Sequence, residues 1–65
     1  MKRILILLAT YNGDQYLQEQ LNSLYNQTDV EVNILVRDDG STDSTLKILE
    51  KNSKDHKLNW YQGEH

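Results

Sequence analysis

The segment Arg37-Asp38-Asp39-Gly40-Ser41-Thr42-Asp43 concentrates the side chains of this chain that could do chemistry. Three of the ten acidic residues fall there within six positions, directly after the apolar run Ile34-Leu35-Val36. Two adjacent carboxylates at the mouth of a buried strand need water, backbone donors, a metal or a polar ligand to offset their desolvation. A second polar group, Thr10-Tyr11-Asn12-Gly13-Asp14, follows the apolar run Ile4 to Ala9. Together the two segments offer hydroxyls, a tyrosine ring, an amide, two or three carboxylates and the backbone amides of two helix starts.

The chemistry of that set favours a nucleoside over a phosphate. A phosphate site wants glycines and a cation at a helix start. The first segment has one glycine and no lysine, and neither G-x-G-x-x-G nor G-x-x-x-x-G-K-[ST] occurs. Carboxylates repel phosphate but accept from ring N–H groups and ribose hydroxyls, and a carboxylate beside a tyrosine suits a pyrimidine imide N–H. A purely structural role accounts for other members of the set. Ser41, Thr42 and Asp43 are good N-caps, Gly40 can supply a positive φ, Arg37 can neutralise the turn, and Tyr11 can pack at a rim. One cap needs only one carboxylate, so the Asp38-Asp39 pair points beyond capping. Adjacent residues on an extended strand face opposite ways; one aspartate is expected to face a ligand and the other to be structural, and the sequence leaves open which.

Other acidic chemistries do not match. Aspartyl-phosphate phosphatases space their carboxylates two apart, and an EF-hand loop places ligands at positions 1, 3, 5 and 12. Here the acids stand at positions 1, 2 and 6. His56 and His65 have no partner at ligand or triad spacing and read as surface residues, so no metal centre and no Ser-His-Asp arrangement is expected.

The elements that must position the two segments are legible from periodicity. Residues 3–9, continuously apolar after Arg3, form a short run ended by Asn-Gly, which predicts a strand buried on both faces, as in a parallel sheet. Leu17, Leu21, Leu24 and Tyr25 recur at helical spacing over roughly 13 residues, with Asn12 or Asp14 as the expected N-cap. Residues 31–37 predict a second strand. Leu46 and Leu49, with Ile48 beside them, predict a second helix reaching Asn52 or Ser53. Leu58-Asn59-Trp60-Tyr61 predicts a third strand, and Gln62-Gly63-Glu64-His65 a loop. The order is β-α-β-α-β, and strand starts about 27 residues apart suit parallel right-handed crossovers. In such α/β sheets ligands bind beyond the carboxyl ends of the strands, where both polar segments fall.

Bulk properties bound the rest. Sixty-five residues with 37% apolar content and no cysteine make one small domain with a thin core and no disulfide or zinc-thiolate staple. A net charge of −3 argues against a nucleic-acid-binding module, and Lys47, Lys51 and Lys54 at helical spacing read as a solvated face. Met1-Lys2-Arg3 before an apolar run has the look of a signal peptide start, but six apolar residues are too few for an h-region or a membrane span. The reading is a buried strand of a cytoplasmic protein.

The segments Leu8-Ala9-Thr10-Tyr11-Asn12-Gly13, Tyr16-Leu17, Gln20-Leu21, Ser23-Leu24, Gln27 and Ile34 through Thr45 resemble the beginning of a family 2 glycosyltransferase. The likeness runs over residues 4–63, and the chain is similar to the rhamnosyltransferase-like branch acting on bacterial surface polysaccharides. It implies the N-terminal nucleotide-binding part of a GT-A (Rossmann-like) domain, and a whole protein that transfers sugar with inversion from a nucleotide-diphosphate sugar to a glycan acceptor. Thr10, Tyr11 and Asn12 would hold base and ribose, Asp38 or Asp39 would accept from them, and Gly40 would keep the turn tight. Many members carry proline where this chain has Ala9. The family's metal-binding Asp-x-Asp, which holds Mg²⁺ or Mn²⁺, and its catalytic base come after residue 65, so residues 1–65 are expected to be half of a donor site, inactive alone. Any association with the inner face of the membrane would run through other parts. Two further readings stand beside this one: a non-catalytic nucleotide-binding or interaction module complete as given, and a nucleotidyltransferase, whose Gly/Arg/Lys-rich first loop is missing here.

Overall fold

In a computed structural model, which describes residues 2–63, the chain alternates strand and helix throughout. The elements are β1 (Lys2–Thr10), α1 (Leu17–Tyr25), β2 (Val30–Asp38), α2 (Thr45–Asp55) and β3 (Leu58–Gln62). The three strands form one parallel sheet in the order β1-β2-β3. Lys2 pairs with Val30, and the register continues without a bulge to Thr10 opposite Asp38. β3 is shorter and joins β2 from Ile34 opposite Leu58 to Asp38 opposite Gln62. The predicted architecture is therefore the observed one, with strand ends displaced by a residue or so. His65 and Glu64, read as loop, lie outside the described residues, as does Met1.

The pleat sorts the side chains into two faces. Ile34, Val36 and Leu58 are buried together with Leu17 and Leu21 of α1 and Leu49 of α2, and Ile6, Leu8, Val32, Leu46 and Trp60 pack against that cluster. Both crossovers step the same way across the sheet, so right-handed connections place α1 and α2 on the same side. The opposite face carries Leu5, Leu7, Leu35 and Tyr61. Leu5 and Leu7 are 64% and 69% exposed, and a depression of about 270 Å³ lies there between Leu7, Ala9, Leu35, Arg37 and Tyr61. The expectation that β1 is buried on both faces is thus corrected: among the described residues only one face has cover. Apolar composition on both faces reports that a strand suits two-sided burial, not that the covering layer lies in the same segment.

The helices touch each other through polar groups. Asn52, almost fully buried on α2, donates from Nδ2 to Gln18 Oε1 and to the Ile48 carbonyl, and its Oδ1 accepts from the Tyr25 hydroxyl at 2.8 Å. His56 stacks on the Tyr25 ring with centroids 3.7 Å apart. Lys47, Lys51 and Lys54 are exposed, as a solvated face requires. At the far end of the sheet Glu31 bridges Arg3 and Lys57. Among the described residues no helix is long and apolar enough to cross a membrane.

Candidate nucleotide site

The unbroken register brings the carboxyl ends of all three strands level: Thr10, Asp38 and Gln62 stand side by side. The ladder continues one step into the loops, where the Asp39 amide donates to the Thr10 carbonyl at 2.9 Å and the Gly63 amide to the Asp38 carbonyl at 2.8 Å. The six residues singled out in the sequence (Thr10, Tyr11, Asn12, Asp38, Asp39 and Gly40) therefore lie along one edge of the sheet.

Their environments differ sharply. Asp38 is 0% exposed. Its Oδ2 accepts from the Gly40 and Ser41 amides at 3.2 and 2.9 Å, and its Oδ1 accepts from the Ser41 hydroxyl at 2.5 Å. Both oxygens are thus occupied in holding a turn whose sharpness depends on Gly40 at φ 100°, a region costly for any residue with a Cβ. Asp39 points the other way. It is half-buried, and its carboxylate meets the Arg37 guanidinium at 2.9 Å. Gly63 packs over that ion pair so closely that a Cβ there would stand 2.8 Å from Arg37 Cδ and 3.1 Å from Asp39 Oδ1.

The first loop is shaped by the second. Asn12 adopts φ 47°, a left-handed conformation that Asn tolerates. Its amide donates to Ser41 Oγ at 2.8 Å, and its own Oδ1 accepts from the Thr42 amide at 2.8 Å. The Gly13 amide donates to the Thr45 hydroxyl oxygen at 3.0 Å. The Asp14 amide donates to Asp43 Oδ2, and the Ser44 amide to Asp14 Oδ2, each at 3.2 Å. Five hydrogen bonds thus tie residues 12–14 to residues 41–45. Tyr11 stands at the rim, 55% exposed.

This geometry changes the capping assignment. Neither Asn12 nor Asp14 caps α1, whose first amides, those of Tyr16 and Leu17, are taken by the Gly13 carbonyl at 2.9 and 2.8 Å. Those two side chains serve the opposite loop instead, and the helix runs nine residues rather than 13. On α2 the N-cap position is Ser44, whose side chain makes no capping bond. Asp43 takes that role from one residue earlier, its Oδ1 accepting from the Thr45 amide at 2.9 Å and from the Thr45 hydroxyl. Burial pushes the Asp43 carboxyl up, but the Thr45 hydroxyl and amide and the Asp14 contacts outweigh it and hold its pKa below the ordinary carboxylate value. Ser41, read as a cap, instead bridges Asp38 and Asn12.

Two participants were not among the candidate site residues read from the sequence. Thr45 is the first residue of α2 and fully buried, yet nothing in helical periodicity marks it as a partner of Gly13. Gly63 gains its role from close approach to a pair 24 and 26 residues earlier. As for a divalent cation, the carboxylates here are engaged: Asp38 with Ser41, Asp39 with Arg37, Asp43 with Thr45 and Asp14. Among the described residues no three acidic or histidine side chains converge, so these residues do not fit a metal centre and no step is assigned through one.

Residues 5–63 match the family described as Glycosyl transferase family 2. The chain is 50% identical over 44 residues to the dTDP-rhamnosyl transferase RfbG of Shigella flexneri, covering 68% of this chain and 15% of that protein. It is 43% identical over 53 residues to the poly(ribitol-phosphate) beta-N-acetylglucosaminyltransferase TarS of Staphylococcus aureus (strain Mu50), covering 78% of this chain and 9% of TarS. The crystal structure of S. aureus TarS 1–349 in complex with UDP-GlcNAc superposes with a TM-score of 0.81 at 40% identity, over 97% of this chain and 18% of that one. The α/β architecture is thus that of the N-terminal part of TarS, and the chain spans a small fraction of the length of the relatives it matches.

Proposed function

The chain belongs to glycosyl transferase family 2, and from that premise we propose that it forms the nucleoside-binding part of a glycosyltransferase that uses a pyrimidine nucleotide-diphosphate sugar. The observation that carries this reading is the unequal state of the two aspartates. Asp38 is sealed into its own turn, whereas Asp39 stands at the open edge of the sheet with Tyr11 on the neighbouring loop. A carboxylate in that position accepts from a pyrimidine imide N–H, and the Arg37 guanidinium holds its orientation. Tyr11 offers its ring to the base. Asn12 has its Oδ1 committed to Thr42, which leaves its NH₂ group as a donor toward ribose or base. Thr10 lines the floor between them, and Gly40 shapes the turn.

The named donors of two relatives share the chemistry invoked. RfbG is named for a thymidine diphosphate sugar, and TarS has been crystallised with UDP-GlcNAc; uracil and thymine both present an imide N–H. Rhamnose as the transferred sugar and a bacterial surface glycan as acceptor extend the same reading. The cation that would stabilise the leaving diphosphate, and the base that would deprotonate the acceptor, belong to other parts of the whole protein.

Isothermal titration of the complete protein with UDP, dTDP and ADP tests the assignment. Both pyrimidine nucleotides are expected to bind more tightly than ADP. Asp39→Ala is expected to weaken pyrimidine binding by roughly 10- to 100-fold, the worth of one charge-assisted hydrogen bond. Equal affinity for ADP and UDP, or an Asp39→Ala variant that binds UDP like the unmodified protein, removes Asp39 from base recognition.

A further inference from the structure

The two loops of the site are joined by a relay of hydrogen bonds. The Gly13 amide donates to Thr45 Oγ1, the Thr45 hydroxyl donates to Asp43 Oδ1, and Asp43 Oδ2 accepts from the Asp14 amide. Asp14 returns the bond by accepting from the Ser44 amide. Each loop's carboxylate thus satisfies an amide at the start of the other loop's helix segment. Thr45 lies at the centre of this exchange and is wholly buried. Gly13 follows Asn12, whose left-handed backbone sets the direction of Tyr11 and Asn12.

We propose that Thr45 and Asp43 are positioning residues that lock the backbone of residues 12–14 to the start of α2, and so hold Tyr11 and Asn12 in their ligand-facing arrangement without touching the ligand. The chemistry requires the residue types present. A hydroxyl is the one small group that can accept from an amide and donate to a carboxylate at once. A carboxylate, having two acceptor oxygens, can serve Thr45 and Asp14 together, whereas an amide side chain has one. The buried Thr45 hydroxyl makes the link directional, because a Gly13 amide left without a partner in this half-buried junction loses a hydrogen bond that water only partly replaces. The consequence is a rigid first loop whose conformation is set by α2 rather than by its own sequence.

The proposal rests on the nucleotide reading above and is tested by Thr45→Val and Thr45→Ser in the complete protein. Valine keeps the shape of threonine and removes the hydroxyl; serine keeps the hydroxyl and loses the methyl. Two measurements are made on each: amide hydrogen exchange of a peptide covering residues 10–16 without ligand, and affinity for UDP. Thr45→Val is expected to speed exchange in that peptide by about tenfold and to weaken UDP binding about five- to tenfold, while Thr45→Ser stays close to the unmodified protein in both. A Thr45→Ser variant as impaired as Thr45→Val would show that packing, not the hydroxyl relay, matters, and would overturn the proposal. So would unchanged exchange in Thr45→Val. If Thr45→Val fails to fold, Asp43→Asn, which removes one of the two acceptor oxygens from the exposed side of the relay, must produce the same faster exchange at residues 10–16. If the unmodified protein binds no pyrimidine nucleotide, the nucleotide reading falls, and the exchange measurement still decides the loop coupling.

Discussion

At the scale of single residues, the instructive pair is Asp38 and Asp39. They are chemically identical neighbours separated only by the alternation of an extended strand. Asp38 turns inward and is consumed by three donors from residues 40 and 41; Asp39 turns outward and keeps an exposed pair with Arg37. Substitution separates them by property. Asp38→Asn keeps one oxygen for the Gly40 and Ser41 amides but gives up the charge that strengthens all three bonds in a buried turn and reverses the bond with the Ser41 hydroxyl, so it is expected to cost about 1–3 kcal/mol of folding stability, read by urea denaturation. Asp39→Asn breaks an ion pair at the surface, where such pairs are worth about 0–1 kcal/mol, and is expected to leave stability nearly unchanged. An Asp38→Asn protein as stable as the unmodified one would contradict the role assigned to that buried carboxylate.

At the scale of elements, the two βα junctions act as one unit, because the amides that begin each are served by side chains of the other. This arrangement is pH-dependent through Asp43. Its folded pKa lies below its ordinary value despite the opposing effect of burial. A carboxyl depressed on folding contributes stability that is fully present above its unfolded pKa and is lost as pH falls through the lower folded value. Loosening of residues 12–14 is therefore expected only in acid below the ordinary carboxylate range, with no change between neutral pH and the start of that range. Amide exchange at residues 10–16, compared between the unmodified protein and Asp43→Asn across an acid series, checks this. The Asn variant should show a flatter acid dependence, and an equally steep one would assign the effect to another carboxylate.

At the scale of the whole molecule, one sheet face is covered by both helices and the other presents Leu5, Leu7, Leu35 and Tyr61. A contiguous apolar patch of this kind associates with whatever can bury it. The 65-residue chain by itself is expected to self-associate with rising concentration, measured by sedimentation velocity. The double variant Leu5→Lys, Leu7→Lys should remain folded, because both side chains point away from the helices, and should sediment as a smaller species. Unfolding of that variant would mean that the outer face contributes more to the fold than its exposure indicates.

Much of this is legible in the sequence. The continuous apolar runs 4–9 and 34–36, the helical recurrence of Leu17, Leu21, Leu24 and Tyr25, and the turn residues after each strand determined a parallel β-α-β-α-β order, because periodicity and turn chemistry are local properties. The same local logic put Thr10 to Asn12 and Asp38 to Gly40 at one edge. What only the tertiary structure decided were relations between segments some thirty residues apart. Those relations make Asp38 the sealed aspartate and direct Asn12 and Asp14 to the opposite loop rather than to their own helix. They also put Thr45 at the centre of the site's support and leave one face of a two-sided apolar strand open. Each of these depends on which donor meets which acceptor across the fold, and a hydrogen bond between distant segments leaves no period in the sequence.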